Sequence, residues 1–407
     1  GLAGISMACA LAPGGARMAV IEATPPKSDR PPSFDDRAIA LAHGSRRIFE
    51  AIGLWKNIAG TATPIQKIHV SERGRFGFTH LDATEEGVPA LGYVATARDL
   101  GQALLESFST TGIDYYSPAR LVDFDNQDDS VVMEIESGEG KRQISAKLLV
   151  AADGGQSQIR QRLGIDVRRW EYGHTAVVSN VLAGKPHANI AYERFTTDGP
   201  LALLPMSQQR CAVVWTVATE QADEVMQMSD SVFLARLQER FGFRLGRLQR
   251  AGRRQAWPLR LVRAKHSCGK RLVLAGNAAH TLHPIAGQGY NLSLRDTEAL
   301  EAALPEGQSE GKVHVRAHRE GNTCTIEIAD NGPGVPEKAR AHLFEAFRGS
   351  QRRGGTGLGL AISSELVRAH GGEIRLVEGS GAGAVFQIVI PDRLKEVETG
   401  RRGARTA

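Results

Sequence analysis

Glycine-rich turns occur in two different sequence patterns in this chain of 407 residues. The change from one pattern to the other divides the chain into two parts. In the first part, short apolar runs repeatedly end at a small or acidic residue and a glycine follows. From about Gly311 the pattern changes to short alternating runs, which are typical of antiparallel strands, followed by glycine-rich loops of another kind. A buried strand, a glycine turn and a helix in this order bring backbone N–H groups to a bound anion. Both parts are therefore expected to bind nucleotides.

Length and composition limit the number of domains and the compartment. One hydrophobic core rarely supports 407 residues, so two or three domains are expected. The formal net charge is +5 and the arginines are dispersed, which argues against a nucleic-acid partner. The sequence has no run of the roughly 20 apolar residues that cross a bilayer, so we expect a soluble or peripheral protein. The four cysteines are widely spaced, which indicates thiols of a reducing compartment, a cytoplasmic location and no metal site.

The first candidate turn lies at the start of the chain. Gly1 and Gly4 open an apolar helix, a strand follows through Ile21, and Glu22 ends that strand. This order predicts the second half of a dinucleotide-binding fingerprint, with Glu22 on a ribose and a pyrophosphate at the helix N-terminus. The fingerprint's first glycine and the strand before it do not occur in the sequence, so a truncated domain is expected. A small-residue helix packed on a strand is the alternative explanation.

Two further apolar runs end in turns. Residues 148–152 lead into one turn, and residues 271–275 lead into another before a helix start rich in glycine. Each run alone is an ordinary strand–turn–helix corner, whereas the two together predict a shared ligand. The turns consist of Asp153, Gly154, Gly276 and Asn277.

Residues 1 to about 300 resemble the flavin-dependent aromatic hydroxylases of ubiquinone biosynthesis, within the class A flavoprotein monooxygenases. The match rests on the partial fingerprint, residues 34–37, the Asp153 turn and residues 283–296, in the family's order. Residues 193–205 also resemble the substrate-side sheet of these enzymes. The resemblance implies an α/β fold: a truncated, three-layer Rossmann-like FAD-binding domain with a β-sheet substrate domain.

The resemblance also implies roles for single residues. The ADP half of FAD would be held by Gly1, Gly4 and Glu22, and Arg37 would contact the cofactor near its pyrophosphate. The other implied cofactor contacts are Asp153, Gly154, Gly276, Asn277, Gly289 and Asn291. The implied catalytic loop over the flavin ring contains His283, Pro284, Gly287 and Gln288. A helix that begins there would point its positive end at the reduced ring.

Some positions in this region leave alternatives open. Asn277 stands where most of the wider class has Asp, and its amide still reaches a hydroxyl. Ser293 stands where the family usually has Gly, so some crowding of the helix is expected. His280 and His283 are candidates for a proton relay, although a packed or capping histidine is the more common case at a strand–helix corner.

The chemistry implied by the resemblance is reduction of FAD by NAD(P)H and transfer of one atom of O2 to an electron-rich phenol ring. The protein's task is then to exclude water and position the ring. A polyprenylated phenol is the implied substrate, with an apolar channel for its tail and peripheral contact with the inner membrane. Other proteins of ubiquinone biosynthesis are the expected partners.

The second part resembles the ATP-binding domain of sensor histidine kinases and its GHKL relatives. Two alternating strands end at Asp330, whose carboxylate suits the adenine amino group, and a glycine loop suits the triphosphate. The implied ATP-binding residues are Asp330, Gly332, Gly334, Gly355, Gly357 and Gly359. The family's magnesium-binding helix and its phosphoacceptor histidine have no counterpart, because hydroxylase-like sequence occupies that stretch. A partial GHKL α/β sandwich with weak ATP binding, and without hydrolysis or autophosphorylation, is therefore expected.

The predicted organisation follows from these segments. We predict an FAD-dependent hydroxylase at 1–303, a linker at 304–311, a partial ATPase domain at 312–393 and a disordered tail at 394–407. Within the first domain, the dinucleotide-binding segments are about 1–70, 95–165 and 268–303, and the substrate sheet is about 71–94 and 166–267. Two alternatives remain open: a kinase-type ATP-binding signalling protein, and a recombined gene product with neither activity.

Overall fold

The protein divides into two compact units, Gly1–Glu301 and Ala302–Ala407, which are described separately in this computed structural model. The structure describes residues 1–12, 16–24, 36–282, 287–303, 313–332, 334–335, 337–340, 342–344, 360, 363–364, 367–368, 371–377 and 383–391. The predicted linker at 304–311 and tail at 394–407 lie outside these ranges.

The helices are α1 (Leu2–Leu11), α2 (His43–Ala51), α3 (Trp55–Ile58), α4 (Ala97–Thr111), α5 (Gln158–Arg162), α6 (Ala222–Gln227), α7 (Asp230–Phe241), α8 (Gln288–Ala303) and α9 (Glu337–Arg340). The strands are β1 (Ala19–Ile21), β2 (Ala38–Ala42), β3 (Thr63–Ile65), β4 (Lys67–Glu72), β5 (Phe78–Asp82), β6 (Gly92–Thr96), β7 (Asp114–Tyr116), β8 (Ala119–Asn126), β9 (Val131–Ser137), β10 (Gly140–Ala146), β11 (Leu149–Ala151), β12 (Val167–Leu182), β13 (Ile190–Thr196), β14 (Gly199–Pro205), β15 (Arg210–Ala218), β16 (Arg250–Ala251), β17 (Gln255–Ala264), β18 (Cys268–Gly269), β19 (Leu272–Leu274), β20 (His280–Thr281), β21 (Val313–Glu320), β22 (Thr323–Asp330), β23 (Glu373–Val377) and β24 (Val385–Pro391).

The dinucleotide-binding region contains two parallel strand pairs. β1 pairs with β7, and β11 pairs with β19, which also carries β18 on its other side. In the described residues the two pairs are separate sheets, so β1 and β11 each have one side without a strand. α1 and α4 pack together beside them through Ile5, Leu100 and Leu104. The predicted α/β class is confirmed.

The substrate region is built on a nine-stranded sheet. Its order is β20-β17-β12-β15-β14-β13-β4-β5, with β16 paired to β12, and all pairs are antiparallel except β13 with β4. Side chains alternate along a strand, so each strand places one set of side chains on each face of the sheet. One face packs on α7 around Trp215, Phe233 and Leu237, which are fully buried. Burying a side chain such as Phe233 contributes about 2 kcal/mol, so this face anchors the sheet.

Two small antiparallel sheets complete the first unit. β2, β6 and β3 form one sheet in the order β2-β6-β3, and β10, β9 and β8 form the other. The β2-β6-β3 sheet contributes to the site, because its edge strand β2 lies against the start of α8. The predicted strand at 17–21 and the predicted helix at 5–11 differ from β1 and α1 only at their ends.

The second unit contains the predicted sheet. Its four strands are antiparallel in the order β21-β22-β24-β23. Every residue of β21 is exposed, including Val313 and Val315, whereas Ile374 on β23 is buried. An edge strand exposed on both faces agrees with a partial sandwich.

Candidate functional site

A cavity of about 790 Å³ connects the glycine turns with the face of the nine-stranded sheet opposite α7. Four separate parts of the chain line its turn side, and residues of all four were predicted to contact one cofactor. A volume of this size is typical of small-molecule and cofactor sites. The lining residues from the predicted site are Gly1, Arg37, Gly154, Asn277, Gly287, Gln288, Gly289 and Asn291.

The start of α8 is held against β2 by one buried amide. Asn291 is 1% exposed, and its Nδ2 donates to the carbonyl oxygens of Ala40 (2.9 Å) and Gly287 (2.7 Å). Its Oδ1 accepts from the backbone N–H of Ala42 (2.8 Å) and the hydroxyl of Ser45 (2.6 Å). An amide can donate two hydrogen bonds and accept two, so protein groups use its full capacity. Asn291 therefore shapes the cavity wall by fixing β2 and α8 together.

Glycine is required where these elements touch. Gly287 has φ +59°, and a Cβ atom there would lie 3.1 Å from the Cβ of Ala40. Gly276 has φ +58°, and a Cβ atom there would lie 2.9 Å from the Cβ of Ala3 on α1. Any other residue would be strained in its backbone and would push the neighbouring element away. The two glycines thus let β2 and α1 close around the cavity.

The Asp153 turn is joined to the Gly276 turn by an arginine that the sequence analysis left without a role. Arg160 is 3% exposed, and its guanidinium donates to the carbonyl oxygens of Ala278 (2.7 Å) and Gly155 (2.9 Å). Asp153 itself accepts a hydrogen bond from the backbone N–H of Ile159 at 3.2 Å, so its carboxylate caps α5. Among the described residues, Gly154 lines the cavity and Asp153 does not.

The remaining predicted residues of the first turn lie at or beside the cavity. The carboxylate of Glu22 accepts hydrogen bonds from the amine of Gly1 and from the backbone N–H of Thr24 (3.0 Å). Gly4 packs against Ala152, where a Cβ atom would lie 3.1 Å from the side chain. Gly1 lines the cavity, whereas Glu22 and Gly4 stand behind it.

The histidines and Ser293 have distinct environments. Nε2 of His280 lies 2.6 Å from Oδ2 of Asp296, and His280 does not line the cavity, which favours the packed, paired interpretation over a proton relay. His283 and Pro284 lie outside the described residues. Ser293 donates to the carbonyl oxygen of Gly289 at 3.1 Å while α8 stays helical, so the expected crowding is accommodated.

The sheet side of the cavity is largely apolar. Five residues, one on each of five adjacent strands, form a row across the sheet. Each residue of the row is the register partner of the next. Every member lines the cavity, and the one carboxyl group in the row has Oε1 buried without a hydrogen-bond partner in the described part of the chain. Burial raises the pKa of that carboxyl group to about 7. The row consists of Glu193, Ala202, Val214, Val178 and Gln255.

The predicted ATP site lies only partly within the described residues. Oδ1 of Asp330 accepts hydrogen bonds from the backbone N–H groups of Gly332 (2.8 Å) and Ala384 (3.2 Å). This carboxylate oxygen therefore closes a turn and ties the end of β22 to the residue before β24. Gly334 has φ +74° in the same turn. Gly355, Gly357 and Gly359 lie outside the described residues.

Comparison with known proteins adds independent findings. The FAD binding domain family matches residues 1–324, and the family of histidine kinase-, DNA gyrase B- and HSP90-like ATPases matches residues 297–394, so the two matches overlap at 297–324. The chain is 34% identical to ubiquinone hydroxylase UbiL of Rhodospirillum rubrum, over 95% of this chain and 84% of that protein. It is 31% identical to 3-demethoxyubiquinol 3-hydroxylase of Escherichia coli, over 77% of this chain and 80% of that protein. The solved structure of Pseudomonas aeruginosa PqsL has a similar fold, with a TM-score of 0.62 at 23% identity, over 74% of this chain and 83% of that one.

Proposed function

The chain belongs to the FAD-binding-domain family of flavin-dependent monooxygenases, and from this premise we propose that it hydroxylates a polyprenylated phenol in ubiquinone biosynthesis. The observation that carries the proposal is the single cavity shared by the glycine turns and the open sheet face. A cofactor on the turn side and a ring on the sheet side would lie in the same cavity. The names of the two hydroxylase relatives support ubiquinone precursors as the substrate class.

The turn side of the cavity fits FAD. Gly276 and Gly287 keep the walls close enough for a flat ring system, because a Cβ atom at either would meet a neighbouring element. Gln288 and Gly289 line the cavity at the start of α8, where the helix dipole favours negative charge. In this proposal Gly1, Arg37, Gly154 and Asn277 hold the remainder of the cofactor. Bound FAD supplies the electron transfer from NAD(P)H to O2, and the chain excludes water and orients the reactants.

The sheet side fits an aromatic ring with an apolar tail. Ala202, Leu204 and Val214 present small or branched apolar side chains to the cavity, and Trp257 lines it at another point. Such a wall gains little from binding a sugar or a charged metabolite, because their polar groups would lose water without replacement. It gains from burying a ring and the first prenyl units, at about 25 cal/mol for each Å² of apolar surface.

The proposal is tested first by cofactor binding and then by turnover. The purified protein, mixed with FAD and freed of excess cofactor, should show flavin absorbance. NADH or NADPH oxidation should then rise when a short-chain prenylphenol is added, and mass spectrometry should show a product that is one oxygen atom heavier. Protein that stays colourless after reconstitution, or that consumes nicotinamide without forming this product, would contradict the proposal. Comparing the two nicotinamides identifies the reductant.

An exposed aromatic surface supports peripheral membrane contact. It lies at the β5 edge of the nine-stranded sheet, and Phe76 is fully exposed in the turn between β4 and β5. Arg73 in this turn pairs with Glu239 of α7 at 2.9 Å, which holds the turn against the sheet. Burial, and then the like charges of Arg244 and Arg73, lower the pKa of Arg194, so cationic groups gather beside the aromatic ones. This surface, called the aromatic edge, consists of Phe76 and Phe78.

Aromatic rings next to arginines suit the headgroup region of an anionic bilayer, where a prenyl tail would be delivered. No helix in the described ranges is long and apolar enough to cross a membrane. The double variant Phe76→Ser/Phe78→Ser should lose at least about tenfold in binding to phosphatidylglycerol vesicles in flotation assays. The matched control Trp170→Ser/Tyr172→Ser, which changes exposed aromatics on β12, should bind like the wild type. Equal loss in both variants would argue against the aromatic edge.

A further inference from the structure

Glu193 is a carboxyl group placed at one end of an apolar row in the cavity. On either side in the sheet, its partners in register are Ala202 on β14 and Val70 on β4, and neither can ionise. The opposite face of the same strand carries Tyr192, which packs against Phe241 of α7. Strand alternation therefore points Glu193 away from the core and into the cavity.

The surroundings give this carboxyl group nothing to bind. Oε1 has no hydrogen-bond partner among the described groups, and burial is the sole cause of its raised pKa of about 7. A buried, unpaired carboxyl group costs stability, and an apolar residue at this position would pack without that cost. Groups with these properties occur mainly at functional sites. The other residues with ionisable side chains that line the cavity are Asp36, Arg37, Arg253 and Tyr290, and Tyr192 lines it while its ring packs on α7.

Several of those groups already have partners of their own. Asp36 pairs with Arg98 at 3.1 Å, and the hydroxyl of Tyr290 lies 2.7 Å from that of Ser6. Of the two carboxyl-bearing residues that line the cavity, Asp36 is thus paired with an arginine, whereas the structure shows no ion pair for Glu193 among the described residues. In the apolar half of the cavity, the ligand group that would meet it is a hydrogen-bond donor on a bound ring.

We propose that Glu193 is the general base of the hydroxylation, with its carboxylate accepting a hydrogen bond from the phenolic O–H of the substrate and taking its proton as the ring is oxygenated. This inference rests on the proposed function and names a residue for it. The phenolic O–H bond breaks, its electron pair stays on the ring oxygen, and a new O–H bond forms on Glu193. The proton later returns to the product phenolate, so Glu193 is regenerated. NAD(P)H and O2 remain the reductant and oxidant of the overall reaction.

The pH dependence of the rate follows from the protonation state of Glu193, because only its ionised form can accept a proton. Glu193 must be ionised to act, so the rate should rise as the pH passes through about 7 and then level off. Glu193→Gln keeps the size of the side chain and removes the titration. It should lower kcat by at least about 100-fold, with a smaller change in KM, and abolish the rise near neutral pH. Glu171→Gln, on an exposed position of β12, is the matched control and should keep the wild-type profile.

Substrate chemistry gives a sharper test of the assigned proton. A methyl ether of the same phenol lacks the O–H that Glu193 would accept, so the wild type should turn it over slowly. In Glu193→Gln the phenol and its ether should react at similar rates, because the proton acceptor is already gone. If the rate losses caused by the methyl ether and by Glu193→Gln multiply when the two are combined, the assignment is overturned. A Glu193→Gln variant with the wild-type pH profile would also overturn it. If the wild type forms no hydroxylated phenol at all, the proposed function fails and not this inference alone.

A measurement without turnover separates the proposal from simple misfolding. The native state holds a proton on Glu193 at pH values where the unfolded chain, with a normal pKa of 4.5, has lost it. Native stability must therefore fall as the pH rises from about 4.5 to 7, and Gln should remove that loss. Glu193→Gln should accordingly melt at a higher temperature than the wild type at pH 8 and at the same temperature at pH 4, with equal flavin content. A variant that melts lower at both pH values would show a structural carboxyl group and contradict the proposal.

Discussion

At the scale of single residues, two asparagines of the site differ in their expected roles, one in holding the fold and the other in binding the cofactor. Asn291 is buried and makes four hydrogen bonds to protein groups, whereas Asn277 is exposed and lines the cavity. Asn291→Ala should lower the free energy of unfolding by about 2–4 kcal/mol, because several buried backbone groups lose their partner. Asn277→Ala should change it by less than about 0.5 kcal/mol and weaken FAD binding about tenfold. Thermal melts and FAD titrations check both, and a stable Asn291→Ala variant would contradict the role assigned to its amide.

How far single residues can be predicted from sequence depends on whether their role is local. Gly287 could be predicted because a turn that meets a ligand or a neighbouring strand favours glycine in its own stretch of chain. Arg160 and Glu193 could not be assigned roles, because these arise from partners more than a hundred residues away or from burial. Asp153 was predicted as a cofactor contact, and its capping of α5 became visible only in three dimensions.

At the scale of elements, the pairing of β1 and β11 bears on how firmly the dinucleotide-binding turns are held. A dinucleotide fold places its fingerprint turn at the end of a strand flanked by parallel neighbours, which fixes the turn against the pyrophosphate. Here β1 pairs only with β7 and β11 only with β19 in the described part of the chain. A strand before Gly1 that pairs with β1 and β11 would supply a ladder of backbone hydrogen bonds and hold the turn at Gly1 in place.

Extending the chain before Gly1 with about six residues of a β-branched strand should therefore tighten FAD binding, since the strand can pair with β1 and β11. An extension of equal length with two prolines is the control, because proline cannot donate to the ladder. Titration of FAD against intrinsic fluorescence gives both affinities. Equal affinities for the two extended chains would mean that the gap does not limit cofactor binding.

The elements themselves were easier to predict than their pairing. The apolar runs that became β11 and β19 and the alternating runs that became β21 and β22 are visible locally. The parallel pairing of β13 with β4 joins segments far apart in the chain, such as Ile190 and Lys67. Local sequence carries no register for such pairs, because register is set by which face the whole sheet buries.

At the scale of the whole molecule, the two units should respond differently to ligands. The cavity proposed to bind FAD and the large hydrophobic clusters belong to Gly1–Glu301, whereas Asp330 and its turn belong to Ala302–Ala407. A ligand that binds only folded protein stabilises the unit that holds it, by about 2.7 kcal/mol at a hundredfold excess over its Kd. FAD should therefore raise the transition of the first unit in differential scanning calorimetry, and ATP should shift the second unit little, if at all. Incubation with labelled ATP should leave no phosphate on any histidine. A large ATP shift with histidine labelling would favour the signalling alternative, and no shift with either nucleotide would favour a recombined product without activity.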